Sequence, residues 1–161
     1  MAKRLLAIIV LLAAMSILSS PFIIIWGMVS LSSSGPAIYW SRRAGLKGTF
    51  FMMPKFRTMR LDTPEVETEK LFNPEKYITP IGAFLRYTSL DEIPQFLSIL
   101  KGDMSVVGPR PALHNQYELF LRCKKLSIDV LKPGLTGWAQ LNGRDNVSLK
   151  DKVRFDYEYL K

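Results

Sequence analysis

The most apolar stretch of the chain comes first. From Leu5 to Trp40 there is no charged residue, and Leu5 to Leu31 is strongly apolar. As helix, that part is long enough to span a bilayer core of about 30 Å at about 1.5 Å per residue. Ser19-Ser20-Pro21 interrupts its middle. Proline removes a backbone hydrogen bond and kinks a helix, and serine can bond back to the freed carbonyls. Basic residues flank both ends: Lys3 and Arg4 before, then Arg42, Arg43, Lys47, Lys55, Arg57 and Arg60 after. Such flanks favour the cytoplasmic side of a membrane. A straight span satisfies only one of them. A helix that enters, bends at Ser20-Pro21 and returns to the same face satisfies both. A Pro-kinked ordinary span is opposed by this charge pattern. A signal peptide is opposed by the apolar run continuing past Pro21 through Trp26 without a small-x-small cleavage site.

Beyond the turn-rich segment Leu31 to Pro36 the pattern changes. Ala37 to Trp40 reads as a strand, Gly45 to Gly48 as a loop and Thr49 to Met53 as the return, a hairpin. Lys55-Phe56-Arg57 alternates cation and apolar residue, which on a strand puts Lys55 and Arg57 on one face. Such a pair can clamp phosphate, and equally forms a solvated face. Ala83 to Arg86 reads as a short helix. Ser89 and Glu92 then have capping-box spacing ahead of apolar Phe96, Leu97, Ile99 and Leu100, with Pro94 in the first turn. Leu113 to Ser127 and Lys150 to Lys161 read as further helices, and Val130 to Gln140 as Gly/Pro-punctuated loop and turn. These elements sum to an α+β, mainly helical fold.

Composition narrows the chemistry. Among 161 residues, 22 Lys and Arg stand against 14 Asp and Glu, a net charge of +8. That surplus suits an anionic partner. The basic residues are spread over several motifs, so no nucleic-acid module is indicated. One cysteine, Cys123, excludes an intrachain disulfide framework, and one histidine, His114, excludes paired-imidazole chemistry. Both read as structural. Walker and GxGxxG motifs are absent.

The most suggestive chemistry is Asp91-Glu92. At a helix start, ionised carboxylate and bound phosphate are both favoured. An ionised aspartate can be a nucleophile, and an adjacent glutamate can help hold a divalent cation. The plainer alternative is a capping Glu92 beside an exposed Asp91. Arg110, between Pro109 and Pro111, sits in a stiff loop suited to gripping an anion, and Asn142-Gly143-Arg144 is a tight turn presenting another arginine.

Seven motifs occur together in order: Ser20-Pro21, Lys55 to Met59, Leu90 to Gln95, Lys101 to Ser105, Val107 to Pro111, Pro133 to Gly137 and Asn142 to Arg144. In this order they resemble the bacterial sugar transferase family, the monotopic phosphoglycosyl transferases that start glycan assembly on polyprenyl phosphate. The resemblance runs from the membrane segment to the C-terminus and looks like the short catalytic form. It implies a re-entrant membrane helix-break-helix over residues 1–34, broken at Ser20 and Pro21. It implies a cytoplasmic catalytic domain over 35–161, with a short β-hairpin and membrane-associated amphipathic helices. It implies a UDP-sugar donor, polyprenyl (undecaprenyl) phosphate as acceptor, Mg2+ as cofactor, the bacterial inner membrane as location and downstream glycosyltransferases as partners.

By the same resemblance Asp91 attacks the phosphorus next to the sugar and releases UMP, with Glu92 beside it at the metal. Lys55, Arg57, Arg110, Arg144 and Asp156 are implied on the substrate. Two departures stand out: Pro54 replaces an aromatic before Lys-Phe-Arg, and family members usually continue beyond the region around Lys161, which implies a truncated or naturally short chain. Competing functions are a membrane-anchored module binding anionic lipid and an Mg2+-dependent phosphodiesterase.

Overall fold

The structure is a computed structural model describing residues 19–64, 66, 71–143 and 147–161. About half of these are helical, and two small two-stranded sheets make the fold mixed α and β. The chain forms two compact units. One joins the described residues up to Trp40 with Pro54–Leu97, and the other joins Ser41–Met53 with Ser98–Lys161.

The first unit opens with helix α1, helical over the described residues 19–32. Ser19, Ser20 and Pro21 lie in helical backbone, while residues 1–18, the first half of the expected helix-break-helix, fall outside the described part. Among the described residues no helix is long and apolar enough to cross a membrane. One face of α1 carries Phe22, Ile25 and Val29 at helical spacing. Ile25 and Val29 are buried with Ala37, Phe56 and Leu85, and Phe22, Ile38, Ile81, Leu90 and Ile93 close the edges. The Phe22 and Phe56 rings lie 5.0 Å apart at a tilted angle, a favourable aromatic geometry. The other face leaves Ile23, Ile24, Trp26, Met28 and Leu31 exposed.

Strands β1 (Ile38–Ala44) and β2 (Phe50–Phe56) form the expected hairpin, each running several residues further than hydrophobic alternation suggested. Helix α2 (Pro80–Thr88) extends beyond the expected Ala83 to Arg86 at both ends, because Pro80 occupies the first turn and the Thr79 hydroxyl accepts from the Gly82 amide at 3.0 Å. A short 3-10 turn, Leu90–Gln95, leads into α3 (Phe96–Lys101).

The second unit holds a feature that the residue pattern did not indicate. Residues just before the stiff Pro109 to Pro111 loop and within the expected loop Val130 to Gln140 pair as parallel strands, β3 (Ser105–Val107) and β4 (Gly134–Thr136), with Ser105 opposite Gly134 and Val107 opposite Thr136. Three glycines make the approach possible. A Cβ on Gly108 would stand 2.3 Å from the Lys132 carbonyl oxygen; on Gly134, 2.2 Å from the Gly108 nitrogen; on Gly137, 2.1 Å from the Gly108 oxygen. Backbone packs on backbone there, leaving no room for any side chain.

Helix α4 (Tyr117–Lys125) begins four residues later than expected, because the Gln116 side chain accepts from the Leu113 amide at 2.7 Å and keeps that segment in a turn. The short α5 (Trp138–Leu141) precedes α6 (Leu149–Leu160), which Ser148 caps by accepting from the Asp151 amide. Leu119, Ile128 and Val153 form the buried centre of this unit, bordered by Cys123, Leu149, Tyr157 and Leu160.

Candidate active site

Asp91 and Glu92 lie where two helical segments meet, and the junction is not the expected capping box. Ser89 adopts the left-handed conformation (φ 58°, ψ 17°) and closes α2, its amide bonding to the Arg86 carbonyl at 3.3 Å. Its side chain caps nothing. The Asp91-Glu92 segment is a 3-10 turn with Pro94 inside it, followed by the six-residue α3. The dipole of so short an element is weaker than that of a continuous helix beginning at Asp91-Glu92.

Glu92 is held from elsewhere. Its Oε1 accepts from the Lys55 ammonium at 2.9 Å, with both side chains largely shielded from solvent. That shielding makes loss of either partner more costly than in a surface ion pair. Asp91, the neighbouring carboxylate, is buried at 7% exposure. The plainer expectation of an exposed Asp91 therefore fails. Lys55 and Arg57 do leave β2 two residues apart, as the alternation requires, but reach different partners. The Arg57 guanidinium donates to the carbonyls of Ser33 at 2.7 Å, Ser34, and Gly35 at 3.1 Å. These carbonyls follow the end of α1, where helical partners run out. Arg57 is 4% exposed and fastens the exit from α1. Gly35 permits this with φ 110°, and a Cβ there would lie 2.7 Å from the Arg57 Nη1.

In the second unit, Arg110 is half-buried between the buried Pro109 and Pro111. The Pro109 carbonyl accepts from the Gly134 amide at 2.8 Å, and the Pro111 carbonyl accepts from Arg43 Nη1 at 3.2 Å. Arg43 was legible in the sequence only as one of several flanking charges. Arg144 lies outside the described residues.

Asp156, on α6, is 3% exposed, and its Oδ1 has no hydrogen-bond partner among the described residues. Burial lifts its carboxyl to about 7, opposed by the positive charge of Lys152. Burial likewise pushes the Cys123 thiol up to about 12, with Asp156 and then Asp129 adding to the rise. Cys123 is thus no thiolate nucleophile at neutral pH, in keeping with a structural role.

Among the described residues no group of three or more His, Cys, Asp or Glu gathers to hold a metal ion. Asp91 and Glu92 instead offer a pair of adjacent carboxylates. A pair fits Mg2+, which commonly takes one or two protein carboxylates and completes its shell with substrate phosphate and water.

Comparison with known proteins identifies the family. The model of a family described as "Bacterial sugar transferase" matches residues 1–161. The chain is 38% identical to the exopolysaccharide production protein ExoY of Rhizobium meliloti, covering 100% of this chain and 77% of that protein. It is 39% identical to the undecaprenyl-phosphate galactose phosphotransferase of Salmonella typhimurium, covering 90% of this chain and 33% of that protein. With the UDP-glucose:undecaprenyl-phosphate glucose-1-phosphate transferase of Escherichia coli K12 the identity is 44%, over 83% of this chain and 30% of that protein. The chain therefore belongs to the bacterial sugar transferase family, and is a transferase.

Proposed function

We propose that the chain is a phosphoglycosyl transferase that moves a sugar-1-phosphate from a UDP-sugar to undecaprenyl phosphate, the first membrane step of a bacterial glycan. The observation that carries the reading is the carboxylate pair itself: Asp91 buried on a short turn, with Glu92 beside it fixed by Lys55. The relatives' names support the donor and acceptor classes. They do not favour the lipid-binding or phosphodiesterase alternatives.

An Asp91 carboxylate oxygen attacks the phosphorus next to the sugar. The bond from that phosphorus to the bridging oxygen breaks, and UMP leaves with the electron pair. The sugar phosphate is held on Asp91 as an acyl phosphate. A phosphate oxygen of undecaprenyl phosphate then attacks the same phosphorus, and the Asp91 carboxylate is the leaving group. Mg2+, held by Asp91 and Glu92, would supply charge neutralisation on the diphosphate. Arg110 and Arg144 grip phosphoryl oxygens, where fixed cations lower the cost of charge spreading in such displacements. Lys55 orients Glu92. Arg57 acts from behind by fixing the end of α1, and Asp156 serves the substrate side. The exposed apolar face of α1 beds into the inner membrane from the cytoplasmic side, with a proline bend at Ser20-Pro21 returning the chain to that side.

Intact-protein mass spectrometry after incubation with Mg2+ and a panel of UDP-sugars tests the reading. The expected result is an added sugar phosphate with one donor, absent in Asp91→Asn. UMP release without any adduct in a rapid-quench series would overturn the covalent route.

A further inference from the structure

The segment Pro109-Arg110-Pro111 has an unusual problem. Neither proline has an amide hydrogen, so the segment offers one N–H and must be held through its carbonyls. The Gly134 amide takes the Pro109 carbonyl at 2.8 Å. On the other side of Arg110, Arg43 Nη1 donates to the Pro111 carbonyl at 3.2 Å. The same guanidinium is aimed by a second bond, Arg43 Nε to the Ser41 hydroxyl at 2.9 Å, and Ser41 is 1% exposed. Next to it the Ala44 amide donates to the Ala112 carbonyl at 2.9 Å. The turn half of the hairpin thus grips the segment immediately after Arg110, and every contact lies within the second unit.

We propose that Arg43 is a positioning residue: braced on Ser41, it fixes the loop that sets the Arg110 guanidinium for the donor's diphosphate. This rests on the reading of Arg110 as a phosphate ligand given above. Arg43 touches no substrate in this role. Its side chain is suited to the task because a guanidinium donates in two directions in one plane, whereas a lysine ammonium is a point charge on a flexible stem. A pre-set Arg110 loses less conformational freedom on gripping an anion, so the benefit appears in affinity.

The test is a double-mutant cycle on UDP binding, measured by calorimetry with the full chain in nanodiscs. Arg110→Ala should weaken UDP binding. Arg43→Met should weaken it by about tenfold, the effect of losing a hydrogen bond made by a charged group. Arg43→Met should add less than about twofold in the Arg110→Ala background, because coupled residues are non-additive. Arg43→Lys should stay within about threefold of Arg43→Met, since charge alone cannot bridge Ser41 and Pro111. Ser41→Ala should reproduce part of the loss, and its cycle with Arg110→Ala carries the test if Arg43→Met does not fold. If Arg110→Ala binds UDP like the wild type, the phosphate-ligand reading itself fails. If Arg110→Ala weakens binding but the Arg43 effect multiplies independently, or lysine restores full affinity, Arg43 is a general surface cation and the positioning role is overturned.

Discussion

Lys55 and Glu92, 37 positions apart in sequence, meet at 2.9 Å and tie β2 to the turn that carries Asp91. The pair is only partly open to water, so removing one partner strands the other charge in a poorly solvated place. Lys55→Ala and Glu92→Gln should each lower stability by about 1–3 kcal/mol, seen as a lower thermal midpoint. The reversed pair Lys55→Glu/Glu92→Lys should recover part of that stability without recovering transfer. Full recovery of both would mean that the pair serves the fold alone.

Asp91→Asn leaves the shape of the site nearly unchanged and removes the attacking oxygen's charge. Sugar-phosphate transfer should fall by about a thousandfold or more, as when covalent nucleophiles are removed elsewhere. The thermal midpoint should move far less than in the Lys55 variants. UMP release measured with and without undecaprenyl phosphate checks this.

Arg57 holds three carbonyls at the end of α1. Arg57→Gln cannot reach all three, and about 2 kcal/mol of stability should be lost, with faster proteolysis near Ser33 to Gly35. Gly35→Ala should cost a similar amount by a different route, since its backbone has φ 110° and the new Cβ would lie 2.7 Å from Arg57 Nη1. A variant that melts like the wild type would show that this corner is looser than its bonds imply.

Asp156 predicts a pH dependence. Its folded carboxyl is raised from 3.8 to about 7 by burial, so between those values the folded chain binds the proton and the unfolded chain does not. Its contribution to stability is present below the unfolded value and is lost as pH rises through about 7, at about 1.4 kcal/mol per pH unit. Asp156→Asn should therefore flatten the fall in stability from pH 5 to pH 8 and be the more stable chain at pH 8. A wild-type curve that rises relative to the variant over this range would reverse the assignment.

The proposed re-entrant anchor makes a topological prediction. Cysteines placed singly before Leu5 and at Ser34, in a Cys123→Ser background, should both react with a thiol reagent added from the cytoplasmic side of inverted vesicles. Labelling of only one of them would describe a straight span.

Much of this was legible in the sequence because it depends on local chemistry or on period. The short helix expected at Ala83 to Arg86 is the middle of α2, and the helix expected from Lys150 to Lys161 is α6 within one residue at each end. The Asp91-Glu92 pair was visible as two adjacent acids, but its true neighbour was not. Ser89 looked like an N-cap for Glu92, yet it turned left-handed to end α2, and Lys55 took the carboxylate. Long-range partners of this kind leave no mark at fixed spacing. Strands of three residues are too short to show alternation, so β3 and β4 were hidden among prolines and glycines. Arg57 looked like half of a phosphate clamp because nothing in its neighbourhood announced three waiting carbonyls.

The crossing of Gly108, Gly134 and Gly137 has a consequence for how this protein can vary. A saturation library at these codons should lack the usual gradient from conservative to radical replacement, because alanine already brings the atom that does not fit. Neighbours such as Leu135 should accept exchanges graded by size and polarity, so the map of tolerated residues would show three abrupt blanks in a permissive background. Recombination between relatives should succeed across this region when the crossing is inherited whole, whatever side chains surround it.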